Sequence, residues 1–212
     1  MAKEVVRSAH VVITFDGQRC IHARNCVLSR PDVFVPNVEG EWIHPERATV
    51  GGVRELAHAC PSGAIAFEPL DGSEPESAPI VNTVRVRENG PLAIHGPLTI
   101  AGEPAGFRAT LCRCGASSKK PYCDGSHATV GFAASGEPAT AAELKTLAVR
   151  NGELAITPLD DGPLQVVGPL EVVSGTGRTT KRVEKAFLCR CGQSSNKPYC
   201  DGTHKTVGFK TT

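Results

Sequence analysis

The chain has 212 residues, enough for one large domain or two to three small ones. Its 23 basic residues nearly balance 22 acidic ones, so no strongly basic face is announced and nucleic acid is a poor first choice of partner. Aromatic residues make up only 5 % of the chain, against 22 Gly and 16 Pro, a composition rich in turns that calls for a staple such as a metal or a disulfide. The opening residues Met1-Ala2-Lys3-Glu4 form no apolar leader, and no stretch approaches the length of a membrane span. The expectation is therefore a cytoplasmic protein without a membrane partner, in which thiols stay reduced. Nine cysteines, an odd number, fit metal ligation better than a closed disulfide framework.

In chain order, Val11-Val12-Ile13 reads as the first strand, and Gly51 to Ala59 as the best helix, with Val53, Leu56 and Ala57 at helical spacing. Cys20, Cys26 and Cys60 belong to this stretch, and Cys60 precedes Pro61. This set resembles a single-cluster bacterial ferredoxin, whose C-x2-C-x2-C run is followed distantly by C-P. The segments Pro31-Asp32-Val33-Phe34 and Cys60-Pro61-Ser62-Gly63-Ala64-Ile65 add to the likeness. The middle ligand slot, however, holds Ala23. Three thiolates can hold a [3Fe–4S] cluster, or a [4Fe–4S] cluster whose fourth iron finds another ligand. His22 and Asn25 lie in the loop and are candidates for it, although His22 facing solvent is the blander alternative.

Residues 69–79, PLDGSEPESAP, read as a linker. Beyond it, Val84-Arg85-Val86, Leu98-Thr99-Ile100, Leu154-Ala155-Ile156 and Leu164-Gln165-Val166-Val167 are short β-rich runs bounded by Gly or Pro. A duplication dominates this part. Leu111 to Phe132 and Leu188 to Phe209 differ at only four positions, and Gly-Pro-Leu recurs at 90–92, 96–98, 162–164 and 168–170. The expected organisation is a module at 1–68, the linker, a first copy at 80–135 and a second at 146–212, with a weaker boundary near Ala133 to Pro138.

Each copy carries C-x-C-x8-C-x3-H: Cys112, Cys114, Cys123 and His127, then Cys189, Cys191, Cys200 and His204. Cysteines at i and i+2 of an extended segment share a face, and a Cys–His pair at i and i+4 shares a helical turn. Asp124 and Asp201 are candidates to cap that turn. A structural zinc site also accepts three Cys and one His, but its usual knuckle is C-x2–4-C. An iron–sulfur cluster suits the thiolate-rich C-x-C set better.

These segments, C-R-C-G-x-S-x-x-K-P-Y-C-D-G-[ST]-H, resemble the CDGSH iron–sulfur family, also called NEET proteins. The match spans the whole ligand loop of both copies; Thr203 stands where the family name has Ser. The resemblance implies one [2Fe–2S] cluster per copy on the eight residues just named, in a small β-rich fold that pairs as a homodimer in other members. A tandem chain would then build a pseudo-two-fold pair internally. The fold expected overall is α+β and mostly β, with a ferredoxin-like module ahead of two CDGSH modules.

A histidine ligand is neutral when bound, which raises a cluster's potential, and it takes up a proton near physiological pH. Reduction coupled to protonation at His127 and His204 is the expectation. The resemblance adds that such clusters can be labile and transferable. Lys120 and Lys197 either tune a cluster or lie solvated in the loop. Arg113 and Arg190, between the paired cysteines, support the cluster or the fold. His10, His44, His58 and His95 have no ligand-type neighbours at useful spacing, and the basic run from Arg178 to Arg190 reads as a solvated face. No dinucleotide fingerprint, P-loop or nucleophile–base set is visible. The chain is expected to be no enzyme but an electron carrier for a redox partner protein. The alternative is a cluster carrier or redox sensor serving apo iron–sulfur proteins.

Overall fold

A computed structural model describes residues 3–211, which divide into two compact units, Met1–Ser77 and Ala78–Thr212. None of the helices among the described residues is long and apolar enough to cross a membrane.

In the first unit, strands β1 (Lys3–Arg7), β2 (Val11–Asp16) and β3 (Ile65–Pro69) form an antiparallel sheet in the order β1-β2-β3. Alternation sets the buried face: Val11, Ile13 and Phe15 of the central strand point inward, opposite Phe67 and Ile65 of β3. A short helix α1 (Asn25–Ser29) and a longer α2 (Val50–Ala59) complete the unit. Thr49 caps α2 by accepting from the Gly52 N–H at 3.2 Å, and the helix ends at Ala59 because Cys60, the residue before Pro61, is extended as the steric demand of proline requires. Val53, Leu56 and Ala57 then bury against the sheet with Val33, Phe34 and Ile43. The segment after β3 returns to α2, where Arg54 donates to the Glu74 carbonyl and His58 meets Glu76.

The second unit is one eight-stranded sheet. Its strands are β4 (Thr83–Val86), β5 (Leu92–His95), β6 (Leu98–Ile100), β7 (Glu103–Pro104), β8 (Arg108–Leu111), β9 (Leu154–Pro158), β10 (Leu164–Val173) and β11 (Thr179–Leu188). The order is β7-β6-β9-β10-β4-β5-β8, with β11 also paired to β10. The two copies contribute to it reciprocally. β6 of the first copy pairs in parallel with β9 of the second (Thr99↔Ala155, Ile100↔Ile156), while β4 of the first pairs in parallel with the far half of β10 of the second (Thr83↔Glu171, Val84↔Val172). Aligned on the Gly-Pro-Leu repeats, these are the same pairing with the copies exchanged. At Gly96-Pro97 the first copy breaks into β5 and β6; at Gly168-Pro169 β10 carries only a register shift. Proline supplies no ladder donor, which accounts for both irregularities.

Period-2 side chains from both copies fill one core: Val84, Val86, Leu92, Ile94, Leu154, Ile156, Leu164, Val166 and Leu188 are all buried. Asn82 pins the copies together at the edge of that core. It is fully buried, and its side-chain amide donates to the carbonyls of Gly152 (2.8 Å) and Pro169 (3.0 Å).

Candidate metal centres

Each C-x-C segment continues a strand. β8 ends at Leu111; the Cys112 N–H donates to the Pro121 carbonyl at 2.8 Å, and the Cys123 N–H to the Thr110 carbonyl at 2.9 Å. The ladder of β8 thus closes the intervening loop and sets Cys123 beside Cys112. The second copy repeats this, with Cys189 N–H to Pro198 (2.7 Å) and Cys200 N–H to Phe187 (2.9 Å).

The loops are braced identically. Ser117 and Ser194 donate their hydroxyls to the carbonyls of Tyr122 and Tyr199, at 2.6 and 2.7 Å. Lys120 and Lys197 donate to the carbonyls of Ser117 and Ser194, so both ammonium groups tie the loop itself. Asp124 accepts from the N–H and hydroxyl of Ser118 and, through its other oxygen, from Ser126; Asp201 does the same with Ser195 and Thr203. These bonds hold both carboxyls well below the usual carboxylate range, although burial opposes them at Asp124. The expected cap is displaced by one residue. Gly125 and Gly202, not the aspartates, occupy the N-cap positions of helix α3 (Ser126–Thr129) and of the 3-10 turn at Thr203–Lys205.

The candidate ligands come together in pairs. Sγ of Cys112 lies 3.7 Å from Sγ of Cys114, and Sγ of Cys123 lies 3.4 Å from Nδ1 of His127. The second copy gives 3.8 Å for Cys189–Cys191 and 3.3 Å for Cys200–His204. Two sulfurs at about 2.3 Å from one tetrahedral metal stand roughly 3.7 Å apart, so each pair suits two corners of one metal ion. Among the described residues no three His, Cys, Asp or Glu side chains converge on a single metal position. Two neighbouring pairs suit two metals better than one.

Backbone N–H groups face the sulfurs: Ala116 to Cys114 (3.5 Å), Gly125 to Cys123 (3.4 Å), Gln193 to Cys191 (3.5 Å) and Gly202 to Cys200 (3.4 Å). Burial pushes the thiols of Cys123 and Cys189 up to about 11. The hydrogen bond between Cys112 and Cys114 lowers the pKa of Cys112 and raises that of Cys114. Burial, helped by Arg113, lowers the pKa of His127 against the pull of Asp124, favouring the neutral ring that a ligand needs.

In the first unit Cys20, Cys26 and Cys60 line one cleft with Phe15, Ala23 and Ser62. Asn25 helps build it by donating to the Ala59 carbonyl at 2.7 Å, which fastens the start of α1 to the end of α2 and so brings Cys26 to Cys60. Burial and the two neighbouring thiols raise the pKa of Cys26. His22 lines an adjoining cavity of about 330 Å³ that shares Cys20 and Cys26 with this cleft, and its backbone N–H donates to Sγ of Cys20 at 3.4 Å. His22 and Arg24 both hold positive φ (55° and 63°), which turns the loop between Cys20 and Cys26 sharply.

Sequence reasoning missed how deeply Arg113 and Arg190 are buried. They are 1 % and 3 % exposed, and Arg190 leaves the run read as a solvated face. Their place between paired cysteines marked both as supports of the cluster or the fold, but gave no sign of their burial.

The family described as iron-binding zinc finger, CDGSH type, matches residues 89–128 and 161–205, and the family described as divergent 4Fe-4S mono-cluster matches residues 6–68. No curated protein matches the chain. The two matched segments of the first family contain all eight candidate ligands, and the third contains the three cysteines of the cleft.

Proposed function

We propose that this iron–sulfur protein, in which tandem CDGSH segments follow a divergent 4Fe-4S mono-cluster domain, carries electrons to or from a redox partner protein and catalyses nothing itself. Cys112, Cys114, Cys123 and His127 hold one [2Fe–2S] cluster, and Cys189, Cys191, Cys200 and His204 hold a second. The observation that carries this reading is the twofold pairing, Cys with Cys and Cys with His, at separations suited to one metal per pair. When bound, each cluster supplies a one-electron couple.

The chain's own residues do the rest. The backbone N–H groups on the sulfurs favour added negative charge, as does neutral imidazole in place of a fourth thiolate. His127 and His204 are half-buried, with Nδ1 toward the cysteine sulfur and Nε2 left to hold a proton. Electron uptake is thereby coupled to protonation at these rings. The copies act as a pseudo-two-fold pair, supported by the exchanged pairings of β6 with β9 and β4 with β10. In the ferredoxin-like first module Cys20, Cys26 and Cys60 hold a [3Fe–4S] cluster, or a [4Fe–4S] cluster whose fourth iron has another ligand. The shared cleft of the three cysteines, with Ala23 in its wall, supports a three-thiolate site. Reduced thiols suit a cytoplasmic setting.

The half-buried histidines favour a second reading, in which the chain hands its His-held clusters to apo iron–sulfur proteins or loses them as a redox sensor. Iron and acid-labile sulfide analysis with visible and EPR spectra of anaerobically purified protein tests the cluster assignment; a colourless zinc protein would overturn it. Incubation with an apo-ferredoxin separates the two roles. Retention of the visible bands supports electron carriage, and their appearance on the acceptor supports cluster delivery.

A further inference from the structure

The guanidinium groups of Arg113 and Arg190 are buried positive charges without acidic partners. Arg113 donates to four carbonyls, those of Arg87 (2.6 Å), Gly90 (2.9 Å), Ala134 (3.0 Å) and Ser135 (3.0 Å), and lies 5.2 Å from the centre of the Phe132 ring. Arg190 repeats the arrangement with the carbonyls of Leu159 and Gly162 and the Phe209 ring at 5.4 Å. Among the described residues neither forms an ion pair with a carboxylate. The acids that act on them are bonded elsewhere: Glu88, whose pull on Arg113 exceeds that of either cysteine, accepts from Gly136 N–H, and Asp161, which acts on Arg190, pairs with Lys210 at 2.7 Å. A buried cation is costly unless an anion lies close by.

Besides these acids the anions available are the metal-binding sulfurs, and among the sulfurs those of the opposite copy come first. The loops carrying the two arginines abut: a Cβ at Gly115 would lie 2.7 Å from the Cys191 carbonyl oxygen, and one at Gly192 2.5 Å from that of Cys114. Across this contact Arg113 interacts electrostatically with Cys189 ahead of its own Cys114, and Arg190 with Cys112.

We propose that each arginine is the counter-charge for the metal centre of the other copy, so that Arg113 sets the reduction potential of the second site and Arg190 that of the first. This rests on the reading of both sites as [2Fe–2S] centres. Two ferric irons, two sulfides, three thiolates and a neutral imidazole carry one net negative charge, and a one-electron reduction leaves two. A fixed positive charge nearby stabilises the reduced state more. Both arginines are positioning residues: their hydrogen bonds go to backbone carbonyls, and crossed placement links the two potentials through one chain.

The test uses full-length holoprotein with His127→Cys as background, which marks the first site by its lower potential. Reductive titration with dithionite, followed by EPR, then reads the sites separately. Adding Arg113→Gln should weaken reduction of the second, His-held site at least tenfold, 59 mV for one electron, and move the marked site less. Arg190→Gln should do the reverse, and Arg113→Lys should lower stability while leaving both potentials in place. Larger shifts at each arginine's own copy, or potentials unmoved by either glutamine, would overturn the proposal. Arg190 has fewer carbonyl partners, so Arg190→Gln decides the matter should Arg113→Gln not fold. Absence of [2Fe–2S] signals from the wild-type protein would instead defeat the cluster assignment itself.

Discussion

Gly115 and Cys191 meet backbone to backbone, and Gly192 and Cys114 meet in the same way across the two copies. Both glycines hold positive φ, 84° and 80°, and neither leaves room for a side chain. The obstructing atoms are carbonyls of metal-site residues, which cannot swing aside as a flexible side chain would. Replacing either glycine by alanine therefore forces the two loops apart. Gly115→Ala should destabilise the second unit by about 3 kcal/mol, the left-handed strain of about 1–2 kcal/mol plus the clash. Denaturant unfolding of the iron-loaded protein, followed by its visible absorption, checks this; a loss below about 1 kcal/mol would mean that the loops yield.

A second prediction concerns acid. The Glu171 carboxylate is buried and holds Arg150 at 2.8 Å and Arg182 at 3.0 Å, with Thr179 at 3.1 Å. Burial alone would raise its pKa, but these partners together bring it below the ordinary value of 4.5. A group with a depressed folded pKa contributes stability that is present above its unfolded pKa and lost as pH falls through the folded one. The wild-type protein should thus weaken as pH drops below about 4.5, and Glu171→Gln should flatten that part of the profile. At neutral pH the substitution should cost about 1–2 kcal/mol, because Arg150 is half exposed and solvent compensates part of its loss. Melting temperatures of both proteins across pH 3–7, on the order of the range in which carboxylates titrate, provide the comparison.

How much of this was legible beforehand follows from the range of each interaction. The metal-site pairs are local: i to i+2 and i to i+4 spacings fix them, and the structure brings together each pair read from the sequence. Helix α2 was also legible, starting one residue earlier than its apolar spacing indicated. The exchange of strands was not, because parallel pairing of β4 with β10 joins residues far apart in sequence and leaves no periodic mark. β11 escaped as well. Its TTKRVEKAFL alternates poorly since several of its charges have specific partners: Arg182 on Glu171, Lys181 over the Tyr199 ring at 4.8 Å, Lys185 over Phe187 at 5.4 Å. A run of basic residues thus concealed the strand that pairs along β10.

His127 and His204 carry the third prediction. Each places Nδ1 beside a cysteine sulfur, 3.4 and 3.3 Å away, and keeps a second nitrogen for a proton. Substituting cysteine at either position adds a negative charge to the site and removes the titrating ring. His204→Cys should lower the potential of its site and flatten the dependence of that potential on pH. Protein-film voltammetry between pH 5 and 9, a span of about two units around the usual histidine pKa, measures both effects. An unchanged slope would show that the proton is held elsewhere.

The last prediction concerns Ala23, the one position in the first unit where a ligand is expected and none stands. Ala23 lies in the wall of the cleft that Cys20, Cys26 and Cys60 share, while His22 lines a neighbouring cavity with Cys20 and Cys26. Its methyl group offers nothing to a fourth iron, and Asn25 is already engaged with the Ala59 carbonyl. A three-thiolate site in such a cleft loses its fourth iron readily on exposure to oxygen, because no protein sulfur retains it. Ala23→Cys restores the missing thiolate without touching the sheet or helix α2. The wild-type protein, once oxidised, should give the EPR signal of a three-iron cluster. The variant should keep a four-iron cluster under the same treatment and show its signal only after reduction. Identical spectra before and after the substitution would mean that position 23 does not face the metal and that the fourth ligand comes from elsewhere in the loop.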